Sequence, residues 1–303
     1  MALATRVRRR KPATSYLWHR VAPYVFISPF YILFLIFGAF PIVFSGAISL
    51  TNWQGVAAPG FVGLANFQRL FRDPSFFRAM RNVAIVALGY QPIFLAMSLG
   101  LAVMLNAPAL RLRGFFRTLY FLPILTSPVV VGIVFTALFD ERFGVVNYAL
   151  TLMGFEPVSW LTAGGPMRAL VCLAVIWRWT GYETVVMLAG LQSISPDLYE
   201  AAKVDGAGGL QSFLSITVPL MRPTILFCLV MSTIGTFNLF DEPLILFGAD
   251  GGNGQAALLP GQFLYLNAFQ YFRFGYSSAF AWILGIILVV LTSVQRRLVR
   301  EEL

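Results

Sequence analysis

Six stretches of this chain run almost without charge for long enough to cross a lipid bilayer, and polar segments of uneven length separate them. Crossing a hydrocarbon core of about 30 Å takes about twenty apolar residues in helical form. The stretches fall near residues 21–50, 80–106, 118–139, 167–191, 220–247 and 277–294. Each reads as a helix, because lipid offers no partner to an open backbone N–H or C=O. Pro23 and Pro29 stand near the start of the first run and Pro41 near its outer end, while Pro123 and Pro128 should kink the third. The pattern predicts an all-α, polytopic membrane protein of six transmembrane helices, one domain over 21–297 between tails at 1–20 and 298–303. Two connecting segments are amphipathic. In 51–78, Phe67, Leu70 and Phe71 share a side; in 140–166, Val145, Val146, Tyr148, Ala149 and Leu152 form an apolar middle. GADGGNGQAA, at 248–257, reads as an external loop.

Composition sharpens this picture. Hydrophobic residues make up 58% of the 303, charged residues 12%, and mean hydropathy is +0.76, whereas a soluble domain carries about a quarter charged residues. The net charge of +9 belongs to membrane flanks, since nothing forms a nucleic-acid-binding module. Fourteen of the 22 Lys and Arg residues lie on the side of the two termini, seven lie on the other, and Arg178 is within the fourth span. That asymmetry predicts both termini inside, and it puts segment 195–223 in the cytoplasm. Arg6, Arg8, Arg9, Arg10, Lys11 and Arg20 resemble the basic start of a signal peptide, but the apolar run that follows is too long and lacks a small-residue cleavage site. Cys172 and Cys228 lie in separate apolar runs and read as buried thiols. With His19 the one histidine, no metal site or nucleophilic dyad suggests itself.

The longest polar and small-residue island is SPDLYEAAKVDGAGGLQSFLSITVPLMRP, 195–223. Ser195 suits a helix N-cap, Pro196 the first helical position and Asp197 the positive end of the dipole. The helix should run through Val204, and Gly206 should supply the left-handed residue that ends it. A second short helix from Leu210 places Leu210, Phe213, Leu214 and Thr217 on one face, with Pro219 closing it.

Glu200, Ala201, Ala202, Gly206, Ile216 and Pro219 stand at the spacing of the EAA loop, and the segment resembles that loop of ATP-binding-cassette importer permeases. Val218 stands where the family has leucine. Asp205, Ala207, Phe213 and Pro223, the stretch FVGLANFQRLFRDPSFFRAMRN (61–82) and RGFFRTLYFLP (113–123) are similar to the carbohydrate-uptake branch. The resemblance implies the type I importer permease (MetI-like) fold. It implies the first membrane subunit of maltose-type, sn-glycerol-3-phosphate-type or lactose-type systems, in a bacterial or archaeal plasma membrane. Its partners would be a second, different permease, two ATPase subunits and an extracytoplasmic solute-binding protein. ATP would be bound by the ATPase partners, so the chain would need no cofactor of its own and would hydrolyse nothing. Glu200 would make polar contact with an ATPase, Ala201 and Ala202 would allow close approach, and Gly206 would fix the corner. Asp205, Ile216 and Pro219 complete the coupling set.

Ionisable groups inside spans are costly and mark function by default. Span four holds WRWTGYE, from Trp177 to Glu183, and span five holds TFNLFDE, from Thr236 to Glu242. In a continuous helix Ile234, Asn238 and Asp241 would share a face, with Thr233 and Phe237 at its edge. Arg178 pairs in spacing with Tyr182, and Trp179 with Glu183. Rings that stack on CH faces and acceptors for hydroxyls suit a sugar. The resemblance to the maltose-type permease points to Tyr182, Phe237, Asn238 and Asp241. A second reading stays open, in which Arg178 pairs with Asp241 or Glu242 to hold helices together. Gly251 and Gly252 are followed by Asn253 where sugar permeases often have proline. The resemblance implies a sugar or oligosaccharide as solute, with a related polyol or glycerol-phosphate-type solute as the alternative. A proton-coupled secondary carrier using Glu183 and Asp241 would be expected to carry an internal repeat, which this sequence lacks.

Overall fold

A span that starts in apolar sequence still needs a device at each end and at each proline, and these devices decide where the helices run. The computed structural model describes the backbone of residues 13–56, 58–107 and 110–300, with side chains from Arg20 to Arg297 within those stretches. The basic residues from Arg6 to Lys11 lie outside the described residues, as does the side chain of His19.

The first span is α1 (Ala13–Phe34) and α2 (Phe40–Ser49), joined by a π-helical turn at Leu35–Ala39. Only α2 packs on the bundle, with Gly46 against the ring of Trp282, whose Nε1 donates to Ser45 Oγ at 3.2 Å. α3 (Ala65–Leu70) precedes α4 (Pro74–Asn106). α4 begins six residues before the expected start because Asp73 caps it, accepting from the Ser75 N–H at 2.8 Å, and Pro74 fits the first turn.

The expected kinked third span is instead two helices, α5 (Arg113–Leu125) and α6 (Pro128–Leu138), bent by 94°. Ser127 precedes a proline and is held extended at ψ 132°, as the ring of Pro128 requires. Next comes α7 (Val145–Leu152), anchored by buried Asn147, which accepts from Val158 N–H and Trp160 Nε1 at 3.0 Å each. In the turn before it, N–H groups of Phe143 and Arg142 hold the Asp140 carboxyl below its usual pKa range. α8 (Gly164–Gln192) is the packing axis: α4, α5 and α11 all lie on it.

α9 (Pro196–Val204) and α10 (Gly209–Ser212) follow, then a π turn at Phe213–Thr217 leading into α11 (Val218–Phe237). Pro219 therefore does not close a helix. The wide turn bonds Val218 N–H to Phe213 O and shifts the ladder, so the missing N–H of the proline falls where no bond is lost. Pro41 follows the turn at Leu35–Ala39 in the same way, with Phe40 N–H on Leu35 O.

The fifth span lies within the apolar stretch Gly209–Phe247 as expected, but its helix is interrupted: α11 stops at Phe237, and α12 (Asp241–Phe247) starts afresh after Asn238–Phe240. The segment expected as an external loop is exposed or half-buried at every position of 248–257 but Gly251 and Ala257, and buried Ala257, Leu258 and Leu259 pin its end to the bundle. Position 251 requires glycine on two grounds: its φ is +73°, and a Cβ there would strike the Leu258 backbone. A short 3₁₀ turn at Asn253–Gln255, α13 (Pro260–Tyr265) and a π turn at Leu266–Gln270 lead to α14 (Phe274–Arg300). Among the described residues five helical stretches are long and apolar enough to span, or six where the bent pair α5–α6 is counted as one crossing.

The main core joins α4, α8, α13 and α14 around Val83, Met167, Leu258 and Phe280, and a second cluster at the other end holds Ala102, Met187 and Met221. Gly181 brings α8 against the backbone of α5, since a Cβ there would overlap the Tyr120 carbonyl. Gly181→Ala is accordingly expected to cost about 1–3 kcal/mol by overpacking. Gly100→Ala meets nothing within 4 Å and is expected to be neutral or to stabilise by up to about 1 kcal/mol. Thermal midpoints of the two purified variants check the contrast.

Candidate coupling hook and transport site

The hook at 195–223 is built from local hydrogen bonds. Ser195 Oγ accepts from the Asp197 N–H at 3.3 Å, capping α9. At the other end Ala207 N–H donates to Ala202 O at 2.8 Å and Gly206 N–H to Lys203 O at 3.1 Å, the paired bonds of a Schellman stop. Gly206 takes φ +80° with open space around it, so the backbone conformation and not crowding requires glycine. Tyr199 turns inward, its hydroxyl 2.9 Å from Thr217 Oγ1 in the π turn, and so ties α9 to the start of α11.

No residue of α9 is buried. Glu200, Ala201 and Asp205 are exposed, Ala202 is half-buried, and the apolar side chains of Val204 and Leu210 are 88% and 73% exposed. Ile216 and Pro219 are half-buried at the root. An exposed face that mixes apolar and charged groups at the end of a bundle is a docking surface in form.

Half-way along the bundle lies a second polar region. Arg178, the midpoint of the 29-residue α8, sits about 21 Å of helix from either end. Its guanidinium is 2.7 Å from Glu242 Oε1, and both side chains are nearly enclosed. The sequence left Asp241 or Glu242 open as the partner; it is Glu242. The contact places the start of α12 at mid-depth. The break at Asn238–Phe240 therefore interrupts a helix inside the hydrocarbon layer, where irregular backbone persists only if protein buries it or it lines a cavity.

The residues expected around this point separate into two groups. Trp179 and Tyr182 are exposed on one side of α8, edge to face at 6.3 Å. Asn238 and Asp241 are exposed, Asn238 Nδ2 donating to Ile234 O at 2.8 Å. Because the helix stops between them, Asn238 and Asp241 do not share a helical face: one ends α11 and the other opens α12. Glu183, Thr233 and Phe237 are buried at 5%, 4% and 5% exposure. Glu183 lies beside Cys228 of α11.

Thr233 belongs to a network that the apolar pattern hid. Its hydroxyl accepts from Gln91 Nε2 at 3.2 Å and from Gln295 Nε2 at 2.8 Å, and Tyr90 OH lies 2.6 Å from Thr236 Oγ1. These bonds join α4, α11 and α14. Asn82 makes a similar hub elsewhere, donating to the carbonyls of Gln255 and Leu258 at 3.0 Å each. Polar side chains inside otherwise apolar runs were the available signal for both hubs. A groove of about 440 Å³ between α4, α5 and α8 is walled by Met97, Leu101, Leu119, Ile176 and Trp177. Its apolar walls suit no sugar, and α8 separates it from Trp179 and Tyr182. Among the described residues no group of His, Cys, Asp and Glu could hold a metal ion.

The described residues thus form a bundle of membrane-length helices with an exposed helical hook at one end and a helix interrupted beside a buried ion pair. Residues 93–301 match the family described as binding-protein-dependent transport system inner membrane component. The lactose transport system permease protein LacF of Rhizobium radiobacter is 37% identical over 288 residues, covering 94% of this chain and 96% of that protein. The arabinooligosaccharides transport system permease protein AraP of Bacillus subtilis (strain 168) is 33% identical, over 92% of this chain and 88% of its own length. Among solved structures, a chain of a bacterial ABC transporter involved in the import of the acidic polysaccharide alginate matches with a TM-score of 0.80. That chain is 26% identical, with 94% of this chain and 99% of that one covered. The chain belongs to the binding-protein-dependent transport system inner membrane component family. It is a multi-pass inner-membrane permease with the type I importer fold.

Thr233→Val removes the acceptor shared by the buried Gln91 amide, which keeps only a longer contact to Thr236 Oγ1 at 3.4 Å, and the part-buried Gln295 amide, at a cost of about 1–3 kcal/mol. The expected outcome is a lower thermal midpoint of the assembled complex with the solute response of transport preserved.

Proposed function

We propose that this permease forms half of the pathway of an ATP-driven importer for a sugar or oligosaccharide and is coupled to its ATPases through the hook. The relatives named for lactose and arabinooligosaccharides support the solute class. The alginate transporter, also solved in complex with a periplasmic protein bound to an alginate pentasaccharide, supports delivery by a separate binding protein. A second, different permease supplies the other half of the pathway, and two ATPase subunits bind the ATP.

The observation that carries the reading is the solvent-exposed hook, stopped by glycine and tied to α11 by Tyr199. On this reading α9 sits in a cleft of an ATPase, with Glu200 in polar contact and Ala201, Ala202 and Asp205 against its wall. Ile216 and Pro219 root the hook, so closure of the ATPases on ATP displaces α8 and α11 together. The pathway rocks between two openings, biased by nucleotide and by the loaded binding protein.

The solute meets Trp179, Tyr182, Asn238 and Asp241, where rings offer stacking faces and the helix break offers hydrogen-bonding groups. Glu183, Thr233 and Phe237 stand behind them as support. An exposed carboxylate at Asp241 favours neutral hydroxyl-bearing solutes over a glycerol phosphate.

Gly206→Asp and Glu200→Arg are expected to abolish uptake while the protein still reaches the membrane; normal uptake in both would remove the coupling role. Asn238→Ala is expected to lower the ATPase stimulation by loaded relative to unloaded binding protein. An unchanged ratio would remove Asn238 from the solute site.

A further inference from the structure

The buried pair of Arg178 and Glu242 has no part in the scheme so far. The side chains are 10% and 4% exposed, and Arg178 Nε has no hydrogen-bond partner. An apolar pair of equal volume would hold two helices together at least as well, because desolvating both charges offsets much of their attraction. Charge at this depth therefore points to a positional demand.

What the pair connects is specific. Arg178 stands on α8, which continues through Ser193–Ser195 into the hook helix α9. Glu242 is in the first turn of α12, next to Asp241 and just past the break that begins at Asn238. α12 has only seven residues, and non-helical backbone at Asn238–Phe240 precedes it. Its own ladder thus does little to fix its rotation. On one side it is seated against α6, with Ile245 packed over Gly132. On the other, the ion pair fastens it to α8 one residue from Trp179, whose ring lies 5.7 Å from the Arg178 guanidinium.

We propose that Arg178 and Glu242 are positioning residues that make α12 follow α8. A shift of α8 imposed at the hook then carries Asp241 along with Trp179 and Tyr182, so that the solute-facing groups of α8 and α12 move as one. The inference rests on the solute site proposed above and adds the link that joins it to the hook. A broken link leaves solute able to enter but lets α8 move while Asp241 stays behind, so the two sides of the site part and hydrolysis is spent without transport.

The test uses the complete transporter in liposomes, with its ATPases and binding protein, and measures solute transported per ATP hydrolysed. Glu242→Gln strips the partner from a buried cation and is expected to lower that ratio by roughly tenfold or more. Glu242→Asp keeps the charge at shorter reach and is expected to fall between Gln and the native residue. The exchange Arg178→Glu with Glu242→Arg is expected to return the ratio to within about threefold of native, as coupled neighbours do. A role confined to folding would reduce the amount of complex and leave the ratio alone. An unchanged ratio in Glu242→Gln, or an exchange no better than Glu242→Gln, overturns the proposal. Should Glu242→Gln fail to assemble, Glu242→Asp decides in the same way. Asn238→Ala measured alongside separates the two claims. If it weakens the response to loaded binding protein while Glu242→Gln leaves the ratio intact, the site stands and the link falls. If it has no effect, the site falls first.

Discussion

Backbone buried in hydrocarbon has to satisfy its own hydrogen bonds, and every informative feature of this permease is a place where that demand is met by something other than a plain helix. Two prolines are absorbed by wide turns, at Leu35–Ala39 before Pro41 and at Phe213–Thr217 before Pro219. Two spans are interrupted: one bends by 94° at Thr126–Ser127, and the other loses its helical ladder at Asn238–Phe240 within the single apolar stretch Gly209–Phe247. A wide turn keeps the hydrogen-bonded ladder running, whereas a break takes backbone groups out of it. The first device preserves rods that transmit force; the second creates irregular backbone at mid-depth, where a polar solute can be met.

The two devices are arranged in one line. The hook is rooted in the wide turn of α11 through Tyr199 and Thr217, and it is continuous with α8 on its other side. α8 carries Trp179 and Tyr182 and, through Arg178 and Glu242, touches the half-helix α12 that opens with Asp241. Meanwhile the hydrogen bonds of Gln91 and Gln295 to Thr233 hold α4, α11 and α14 as one body. An importer that rocks needs such a division between parts that move together and a polar seam that can rearrange.

Much of this was legible in the sequence, for physical reasons. Apolar runs fix the number of spans because length and hydropathy alone decide the crossing. The first helix of the hook was legible nearly to the residue because its signals are local: Ser195 and Pro196 start α9, and Gly206 takes the φ that ends it. Its second half was not, since the π turn at Phe213–Thr217 carries the chain past Pro219 into α11. The breaks were not legible, because an apolar run reads the same whether it is straight or bent by 94°. Asn238 and Asp241 were placed on one face by assuming continuity, which the break removes. Glu183, Thr233 and Phe237 are buried within the subunit, which spacing did not foretell, because it records position on a helix but not what the helix packs against. The glycines of 248–257 marked a loop that is indeed largely exposed, but nothing in them showed that Ala257, Leu258 and Leu259 anchor its end in the core.

The central claim is that the hook lies inside the cell and is gripped by a separate ATPase. Ala201, exposed on α9, offers the most direct measurement: Ala201→Cys in a background with Cys172 and Cys228 replaced by serine, treated in membranes containing the whole transporter. The account expects a short bifunctional thiol reagent to join residue 201 to an ATPase subunit carrying a facing cysteine, with a yield that changes when ATP is trapped. It also expects a membrane-impermeant maleimide added from outside to leave the residue untouched. Labelling from outside, or no adduct with any ATPase in an intact complex, would contradict it.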